Sequence, residues 1–308
     1  MLYKIKWKIL SAIETQLQSD TIFGHICWAL AYTKGEPALK DFLEAMKQPV
    51  FLLSSGFPEG RLPAPKLHRS RRESMPDLAS ELKQREQEKQ ASKREYLPVE
   101  LWQKHIAAFE QTHVHEAASE IEKYFELILQ EHNSINRLSG TTRKGGANLY
   151  SEVVTYPAEG IKAFDSYLQT DYFNHLELEA LFAFISDSGY GRNKHTGRGK
   201  FEISLEEISF PEPDNPNAWL LLSNTVPASD DPPPLGYEGF VKYGKLGGSY
   251  AVGAKSPFKK PIFMIKPGAV FFGADPPKGT LVRDIHPDDP AICQNAYALC
   301  MGFHLKGV

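Results

Sequence analysis

The hydrophobic pattern alternates between strand-like and helix-like segments along the chain. Apolar side chains alternate with lysines over residues 3–9, which predicts a half-buried strand. Apolar residues at helical spacing predict helices over 22–30, 39–46 and 178–185. Short apolar runs predict further strands at 50–53, 148–156, 161–169, 201–208, 219–223, 240–252, 262–265, 269–272 and 296–305.

Three further features complete the predicted fold. Asp20 lies just before the first apolar helical positions, where we expect its carboxylate to cap the helix. Residues 97–130 show helical spacing and are predicted to be helical throughout. Residues 66–95 hold nine basic and six acidic residues with few large apolar ones, which is typical of an exposed, partly disordered or helical insertion. Each half alternates strands with helices, so the pattern predicts two α+β sandwiches of the ferredoxin-like type, 1–157 and 158–308.

Composition narrows the class of protein. The 308 residues, 42% of them hydrophobic, are enough for one large domain or two domains with separate cores. No apolar run approaches the roughly 20 residues that cross a bilayer, and the first ten residues do not resemble a signal peptide. Three cysteines make a disulfide framework unexpected and indicate a reducing cytoplasm.

The distribution of charge points to a polyanion, although the net charge is −3. Three windows contain no Asp or Glu: residues 132–151, 188–201 and 239–274. They carry three, four and six basic residues respectively, and all three are rich in glycine. Local positive fields attract polyanions, and glycine lets a backbone approach a phosphate closely. Solvated lysine-rich faces are the alternative interpretation of each window.

The segment Gly189–Lys200 has the sharpest local pattern, with four glycines, four cations and a histidine. It matches neither the P-loop nor the GxGxxG pattern, so a loop that binds a nucleic-acid backbone fits better than a nucleotide cofactor site. A mobile connecting loop is the alternative. Residues 132–146 suggest a protruding hairpin or a plain surface loop. Residues 243–249 pair Tyr243 with Lys245, a combination that stacks on bases and neutralises phosphates but also occurs in turns between core strands.

Metal and cofactor sites are not predicted. His113 and His115 are two residues apart and lie on different faces of the expected helix, and neither HExxH nor CxxC occurs. His25 falls inside the first predicted helix, where a packing role is expected rather than general base catalysis.

Four segments in order resemble a known family. They are SDTIFGHICWAL (Ser19–Leu30), LLSSGFPEGRLPAP (Leu52–Pro65), HNSINRLSGTT (His132–Thr142) and SDSGYGRNKHTGRGKFE (Ser186–Glu202). The first resembles the opening signature of CRISPR RAMP proteins. The set is similar to the type III-A Csm subunits that cap the 5′ end of the crRNA, and the likeness spans nearly the whole chain. The insertion 66–95 matches no motif of that family.

The resemblance implies two ferredoxin-like (RRM-like) RAMP domains, no catalytic role and no cofactor. It implies a thumb-like hairpin at 132–150 near the boundary between tag and guide, and a Gly-rich loop at 189–200 that faces the tag. The implied partners are the crRNA 5′ tag, the large polymerase-type signalling subunit and a backbone RAMP subunit, with target RNA contacted indirectly. The implied setting is antiviral defence in the cytoplasm.

Charge pattern and resemblance together predict a set of RNA-binding residues. They are His132, Asn133, Asn136, Arg137, Arg143, Lys144, Gly189, Gly191, Arg192, Asn193, Lys194, His195, Thr196, Gly197, Arg198, Gly199, Lys200, Tyr243, Lys245 and Ser249. Two alternatives stay open. One is a crRNA-processing RAMP endoribonuclease that uses His25 or His195 as general acid or base; the other is a scaffold whose basic loops meet an acidic protein.

Overall fold

The computed structural model describes residues 1–67, 93–116, 123–142, 149–247 and 257–307. The helices are α1 (Ser19–Lys34), α2 (Glu36–Ala45), α3 (Val99–His105), α4 (His113–Glu116) and α5 (His175–Ser188), with a 3₁₀ turn at Lys194–Thr196. The strands are β1 (Leu2–Ile9), β2 (Phe51–Leu53), β3 (Phe57–Pro58), β4 (Arg61–Pro63), β5 (Tyr96–Pro98), β6 (Phe125–Asn133), β7 (Leu149–Pro157), β8 (Ala163–Thr170), β9 (Phe201–Glu207), β10 (Ala218–Leu221), β11 (Pro234–Gly236), β12 (Gly239–Lys242), β13 (Ile262–Ile265), β14 (Val270–Phe272), β15 (Gly279–Val282), β16 (Gln294–Tyr297) and β17 (Cys300–Phe303). None of the described helices has the length and apolar character that a membrane span requires.

The first layer is an antiparallel sheet in the order β2-β8-β1-β9, with β3 also paired to β8. The inward side chains of β1, among them Tyr3 and Trp7, pack with apolar residues of α1, α2 and α5. Counting α1 and α2 as one connection, these elements follow a β-α-β-β-α-β order, as the ferredoxin-like type requires. The predicted strand at 3–9 and the predicted helices are confirmed here.

The boundary predicted between residues 157 and 158 does not divide the sheets. β1 is hydrogen-bonded on one side to β8 and on the other to β9, so the first sheet uses strands from both predicted halves. The physical reason is that a central strand needs a hydrogen-bonding partner on each side. The two partners of β1 are β8 and β9, which both come after the long segment that follows β2.

The second layer also mixes the two halves of the chain. Its antiparallel sheet has the order β11-β14-β10-β17. Helix α3 covers it, with Trp102 stacked on Phe109 and in edge contact with Phe303. Within 208–307, the described residues form no helix. The prediction that the C-terminal half supplies both strands and helices of a second sandwich is therefore corrected, because the covering helices come from the segment before residue 117.

Three local predictions also need correction. Of the described residues in the stretch 97–130, only α3 and α4 are helical, because residues 125–133 form β6 and pair with β7 at nine positions. The strand predicted over 240–252 ends as β12 at Lys242, and the part from 248 onward lies outside the described residues. The strand predicted over 296–305 is interrupted after Tyr297 and resumes at Cys300. Most of the predicted insertion 66–95 also lies outside the described residues.

Asp20 links the two layers and does not cap α1. The N-cap residue is Gln18, and its side chain makes no capping bond. The buried Asp20 carboxylate instead accepts hydrogen bonds from Asn224 Nδ2 (2.9 Å) and Gln294 Nε2 (2.6 Å), and pairs with Lys242 Nζ at 2.9 Å. The expected cap is thus corrected: donors from β12, from β16 and from the segment after β10 satisfy the carboxylate instead.

Asp20→Ala is expected to lower the free energy of unfolding by about 3 kcal/mol, because it leaves the ammonium of Lys242 without its counter-ion at a largely buried position. Urea unfolding measures this difference. Glu36→Ala is the matched control, since Glu36 also lies in the first turn of a helix but is exposed. Equal stability of the two variants would contradict the assigned role.

Candidate nucleic-acid interface

The hairpin predicted around residues 132–150 is present as the long β6–β7 hairpin. Its two strands pair antiparallel from Phe125–Pro157 to Asn133–Leu149. One face carries His132 stacked on Tyr150, with ring centroids 5.1 Å apart, and turns toward the Gly-rich loop. The other face exposes Leu127 and Leu129 to solvent. The hairpin therefore has one polar face that contacts the Gly-rich loop and one face whose apolar side chains, Leu127 and Leu129, are exposed to solvent.

The turn at the hairpin tip is organised by Asn136. Its side-chain Oδ1 accepts the N–H of Leu138 at 2.9 Å, and its backbone exchanges hydrogen bonds with Thr141 and Gly140. Gly140 has φ 65°, a left-handed conformation that favours glycine. These contacts push Arg137 and Leu138 outward, and Leu138 is fully exposed. The segment His132–Thr142 thus encodes a turn that is stabilised by its own hydrogen bonds. Arg143 and Lys144 lie outside the described residues.

Two glycines of the Gly-rich loop, Gly191 and Gly199, allow close packing inside the protein. A Cβ atom on Gly199 would lie 1.9 Å from the carbonyl oxygen of Tyr190, and one on Gly191 would lie 2.6 Å from the Cβ of Thr15. Backbone N–H groups of the loop are likewise used internally: Gly199 donates to the carbonyl of Ala12, and Arg192 donates to the hydroxyl of Thr15. At Gly191 and Gly199 the expectation that glycine clears a path for phosphates is corrected, because neighbouring protein atoms fill the space. A Cβ atom on Gly197 would meet no described atom within 4 Å, so that position stays open.

The two arginines of the loop meet carboxylates. The guanidinium of Arg198, 14% exposed, pairs with Glu14 and with Glu152 (3.1 Å), and it donates to Gln130 Oε1 at 2.8 Å. Asn193 Nδ2 donates to both carboxylates as well. The side chain of Arg192 is 70% exposed and lies 3.3 Å from Glu152. This network fastens the loop to the base of the β6–β7 hairpin.

The remaining predicted residues of this loop differ in exposure. His195, Thr196 and Gly197 are exposed on the 3₁₀ turn. Burial and the nearby Lys200 lower the pKa of Lys194. The ammonium of Lys200 donates to the carbonyl of Asp187 at 2.7 Å. Gly189 ends α5 and donates its N–H to Ile185. The outward cations of the loop are therefore fewer than the sequence suggests.

Arg198→Ala is expected to lower the free energy of unfolding by about 3 kcal/mol, because the largely buried carboxylates of Glu14 and Glu152 keep only the exposed Arg192 as a guanidinium partner. Arg192→Ala, at an exposed position of the same network, is the matched control and should change stability by less than about 1 kcal/mol. Thermal and urea unfolding of both variants measure the contrast. If Arg198→Ala were as stable as Arg192→Ala, the network would not fasten the loop.

His25 does not have the setting of a general acid or base. Its ring packs on Tyr190 with centroids 4.6 Å apart, and its Nε2 accepts the N–H of Gly191 at 3.0 Å. Burial, aided by the positive charge of Lys194, lowers the pKa of His25 to about 4. The ring is therefore neutral at physiological pH and its free lone pair is used. His195 makes no hydrogen bond or ion pair with any residue that the structure describes.

His25 is expected to make stability depend on pH. Its pKa in the folded protein is about 4 against 6.5 unfolded, so the unfolded state takes up the proton first and stability falls as the pH drops from 6.5 toward 4. His25→Gln keeps an acceptor for Gly191 and should weaken that fall. Melting temperatures across this pH range measure it, with the exposed His195→Gln as control. Identical pH profiles for all three proteins would contradict the buried, neutral ring.

The third predicted segment lies on a second antiparallel ribbon, which we call the 239–265 ribbon (described residues 239–247 and 257–265). β12 pairs with β13, and the ladder continues where Lys245 faces Phe258. Tyr243 is 74% exposed, and the ammonium of Lys245 lies 5.8 Å from the centre of the Phe258 ring. Ser249 lies outside the described residues. The ribbon thus places Lys245 beside Phe258, an aromatic residue that sequence reasoning did not select, with Tyr243 exposed on the same ribbon.

A cleft of about 430 Å³ opens at the root of the β6–β7 hairpin, between the two layers. Phe125 and Leu127 line one side, and Gln16, Gln18 and Asn224 contribute amides. Lys266 reaches the cleft but pairs with Glu238. The cleft can accept a polar group of roughly nucleotide size. No sequence signal pointed to it, because its lining residues come from segments spread between Ile13 and Pro267.

One cluster has the residue types of a metal site but not the geometry. His105, His113 and Glu116 place their ligand atoms within 4.8 Å of one another. The two rings are stacked with centroids 3.7 Å apart, so no single ion lies in both ring planes. In addition, the N–H of Glu110 donates to His113 Nδ1, which leaves the proton of a neutral ring on Nε2. The cluster is a histidine stack in which His105 is hydrogen-bonded to Glu116. Nothing is described of the side chain of His115, which the sequence argument considered together with His113.

Comparison with known proteins identifies the architecture. No family model matches the chain, and no curated protein matches it. Two crystal structures of a Csm1–Csm4 cassette, with AMPPNP and with pppApA, match at TM-scores of 0.63 and 0.60, 14% identity and 99–100% coverage of both chains. A Csm3–Csm4 subcomplex of the type III-A CRISPR-Cas interference complex matches at 0.58, with 98% of this chain and 99% of the other covered. Csm4 is the component common to all three. This chain has the Csm4 fold. At 14% identity the likeness is one of fold, and it spans the whole of both chains.

Proposed function

We propose that the chain is a non-catalytic subunit of a type III-A CRISPR interference complex, in the place that Csm4 occupies. The observation that carries this proposal is the full-length match to Csm4 in two different assemblies, one with Csm1 and one with Csm3. A protein with this fold that contacts both partners bridges the large subunit and the backbone subunit. The first layer would then be one RAMP domain of ferredoxin-like type, and the complex would act in the cytoplasm.

The β6–β7 hairpin supports an RNA-binding role. Its tip presents Arg137 and the exposed polar residues Asn133 and Asn136 on a turn that holds its own shape. Arginine and amide groups bind phosphates and base edges, and a rigid tip lowers the ordering cost of binding. The resemblance assigns this hairpin to the boundary between tag and guide, so we propose that it helps to anchor the 5′ tag of the crRNA.

The geometry of the histidines supports a non-catalytic role. Metal-free RNA cleavage needs a general acid and a general base within hydrogen-bond reach of the reacting groups. His25 is closed off by Tyr190 and Gly191, and His195 has no partner in the described part of the chain. His25 and His195 therefore do not supply the general acid and general base that the endoribonuclease alternative requires. The scaffold alternative differs from our proposal only in that the chain would not contact RNA.

The test is to co-purify the chain with its cognate large and backbone subunits and to sequence the RNA that comes with them. The proposal predicts a complex of all three proteins whose RNA has one uniform 5′ end, because a bound tag is protected from trimming. Omitting this chain should separate the other two proteins and leave ragged 5′ ends.

The control is a complex assembled with the Arg137→Ala/Asn136→Ala chain, which alters only the hairpin tip. It should still join the two proteins but hold the RNA less firmly, since tip contacts to RNA are lost while protein surfaces are not. The proposal would be wrong if the two other subunits joined equally well without this chain. Cleavage of precursor RNA by the purified chain in chelator, abolished by His195→Ala, would favour the endoribonuclease.

A further inference from the structure

The outer face of the 239–265 ribbon carries a strip of exposed aromatic side chains. Val241 and Phe263 form a cross-strand pair, and Tyr243 and Phe258 continue the strip toward the end of the ribbon. Tyr243, Phe258 and Phe263 are 74%, 57% and 56% exposed. Rings of this size are normally buried when they serve a core, so a row of three on one ribbon marks a binding surface.

The strip is held in place by the opposite face of the same ribbon. Lys242 points inward, where its ammonium pairs with Asp20, and Met264 on the other strand is fully buried. Because side chains alternate along a strand, this anchoring turns Val241, Tyr243 and Phe263 outward. Phe263 is further constrained by Gly239, where a Cβ atom would lie 2.3 Å from the ring. The rings are therefore presented on a rigid support.

The charge around the strip is positive and uncompensated. Lys245 and Lys260 are exposed on the ribbon, and neither ammonium has a carboxylate within ion-pair distance among the residues that the structure describes. This contrasts with the Gly-rich loop, where Glu14 and Glu152 neutralise the arginines. Stacked bases need rings and the phosphates between them need cations, and the ribbon offers both at strand spacing, about 7 Å for every second residue.

We infer that the 239–265 ribbon is a stacking platform for single-stranded RNA, in which Tyr243, Phe258 and Phe263 stack on bases and Lys245 and Lys260 neutralise phosphates. The inference rests on the proposed function only in taking the bound polyanion to be RNA. It assigns the contact to a surface separate from the β6–β7 hairpin and from the Gly-rich loop. Such stacking is tolerant of sequence, so the platform holds the strand without selecting its bases.

The experiment measures binding of a short fluorescein-labelled single-stranded RNA by the full chain across a salt series, using anisotropy. Tyr243→Ala, Phe258→Ala and Phe263→Ala should each weaken binding roughly 5- to 100-fold while the slope of log affinity against log salt stays unchanged. Lys245→Ala and Lys260→Ala should each flatten that slope by about 0.7. Tyr243→Phe keeps the ring and should keep the affinity.

Tyr32→Ala is the matched control, because Tyr32 is a similarly exposed ring, 63%, on α1. The inference is overturned if the ring variants bind RNA like the unaltered chain. It is also overturned if they lose only the large or the backbone subunit in a pull-down, which would make the strip a protein interface. Failure of the three-protein complex to form would refute the proposed function but leave the RNA measurement on the full chain valid, so the two failures are distinguishable.

Discussion

The buried carboxylate of Asp20 is the interaction on which the rest of the structure depends. It lies in the first turn of α1, yet its partners come from far along the chain: Asn224 follows β10, Gln294 lies on β16 and Lys242 on β12. The hydroxyl oxygen of the neighbouring Ser19 accepts a further hydrogen bond from the backbone N–H of Asn224. A buried carboxylate is tolerated only when several donors bind it, so the segments that carry these donors must pack against α1 in one fixed arrangement. This arrangement also fixes the position of the 239–265 ribbon relative to α1, because Lys242 on the ribbon is one of the donors.

The two basic surfaces of the molecule differ in whether their positive charges are paired with carboxylates. In the Gly-rich loop, Arg198 is satisfied by Glu14 and Glu152, so its charge stabilises the protein and is not offered to a ligand. On the ribbon, Lys245 lies beside an aromatic ring instead of a carboxylate. A cation next to a π-face remains available to a phosphate while its stem is ordered. Glycine-rich and basic sequence alone therefore does not distinguish a structural loop from a binding surface; the position of the acids does.

Elements with strong local signals were predictable from the sequence, and long-range partners were not. The alternation in β1 and the helical spacing of α5 predicted both elements because burial on one face is a local property. β6 was taken for helix because Ile121, Tyr124, Phe125 and Ile128 recur at helical spacing. Only pairing with β7 makes the segment a strand. Glu152 lies one residue beyond an acid-free window, and Glu14 is far away in sequence, so the neutralised loop could not be foreseen. The family likeness did foresee the match to Csm4 structures, but the second ferredoxin-like domain that it implied was not found among the described residues of the C-terminal half.

The most direct test of this account is to crosslink 4-thiouridine-labelled crRNA in the assembled three-protein complex and to map the crosslinked peptides of this chain by mass spectrometry. The account predicts crosslinks at Tyr243, Phe258 or Phe263 on the ribbon and at the 133–138 tip of the β6–β7 hairpin. It predicts none at Arg198, which is enclosed by its carboxylates. Crosslinks confined to the Gly-rich loop, or none anywhere on this chain, would contradict it.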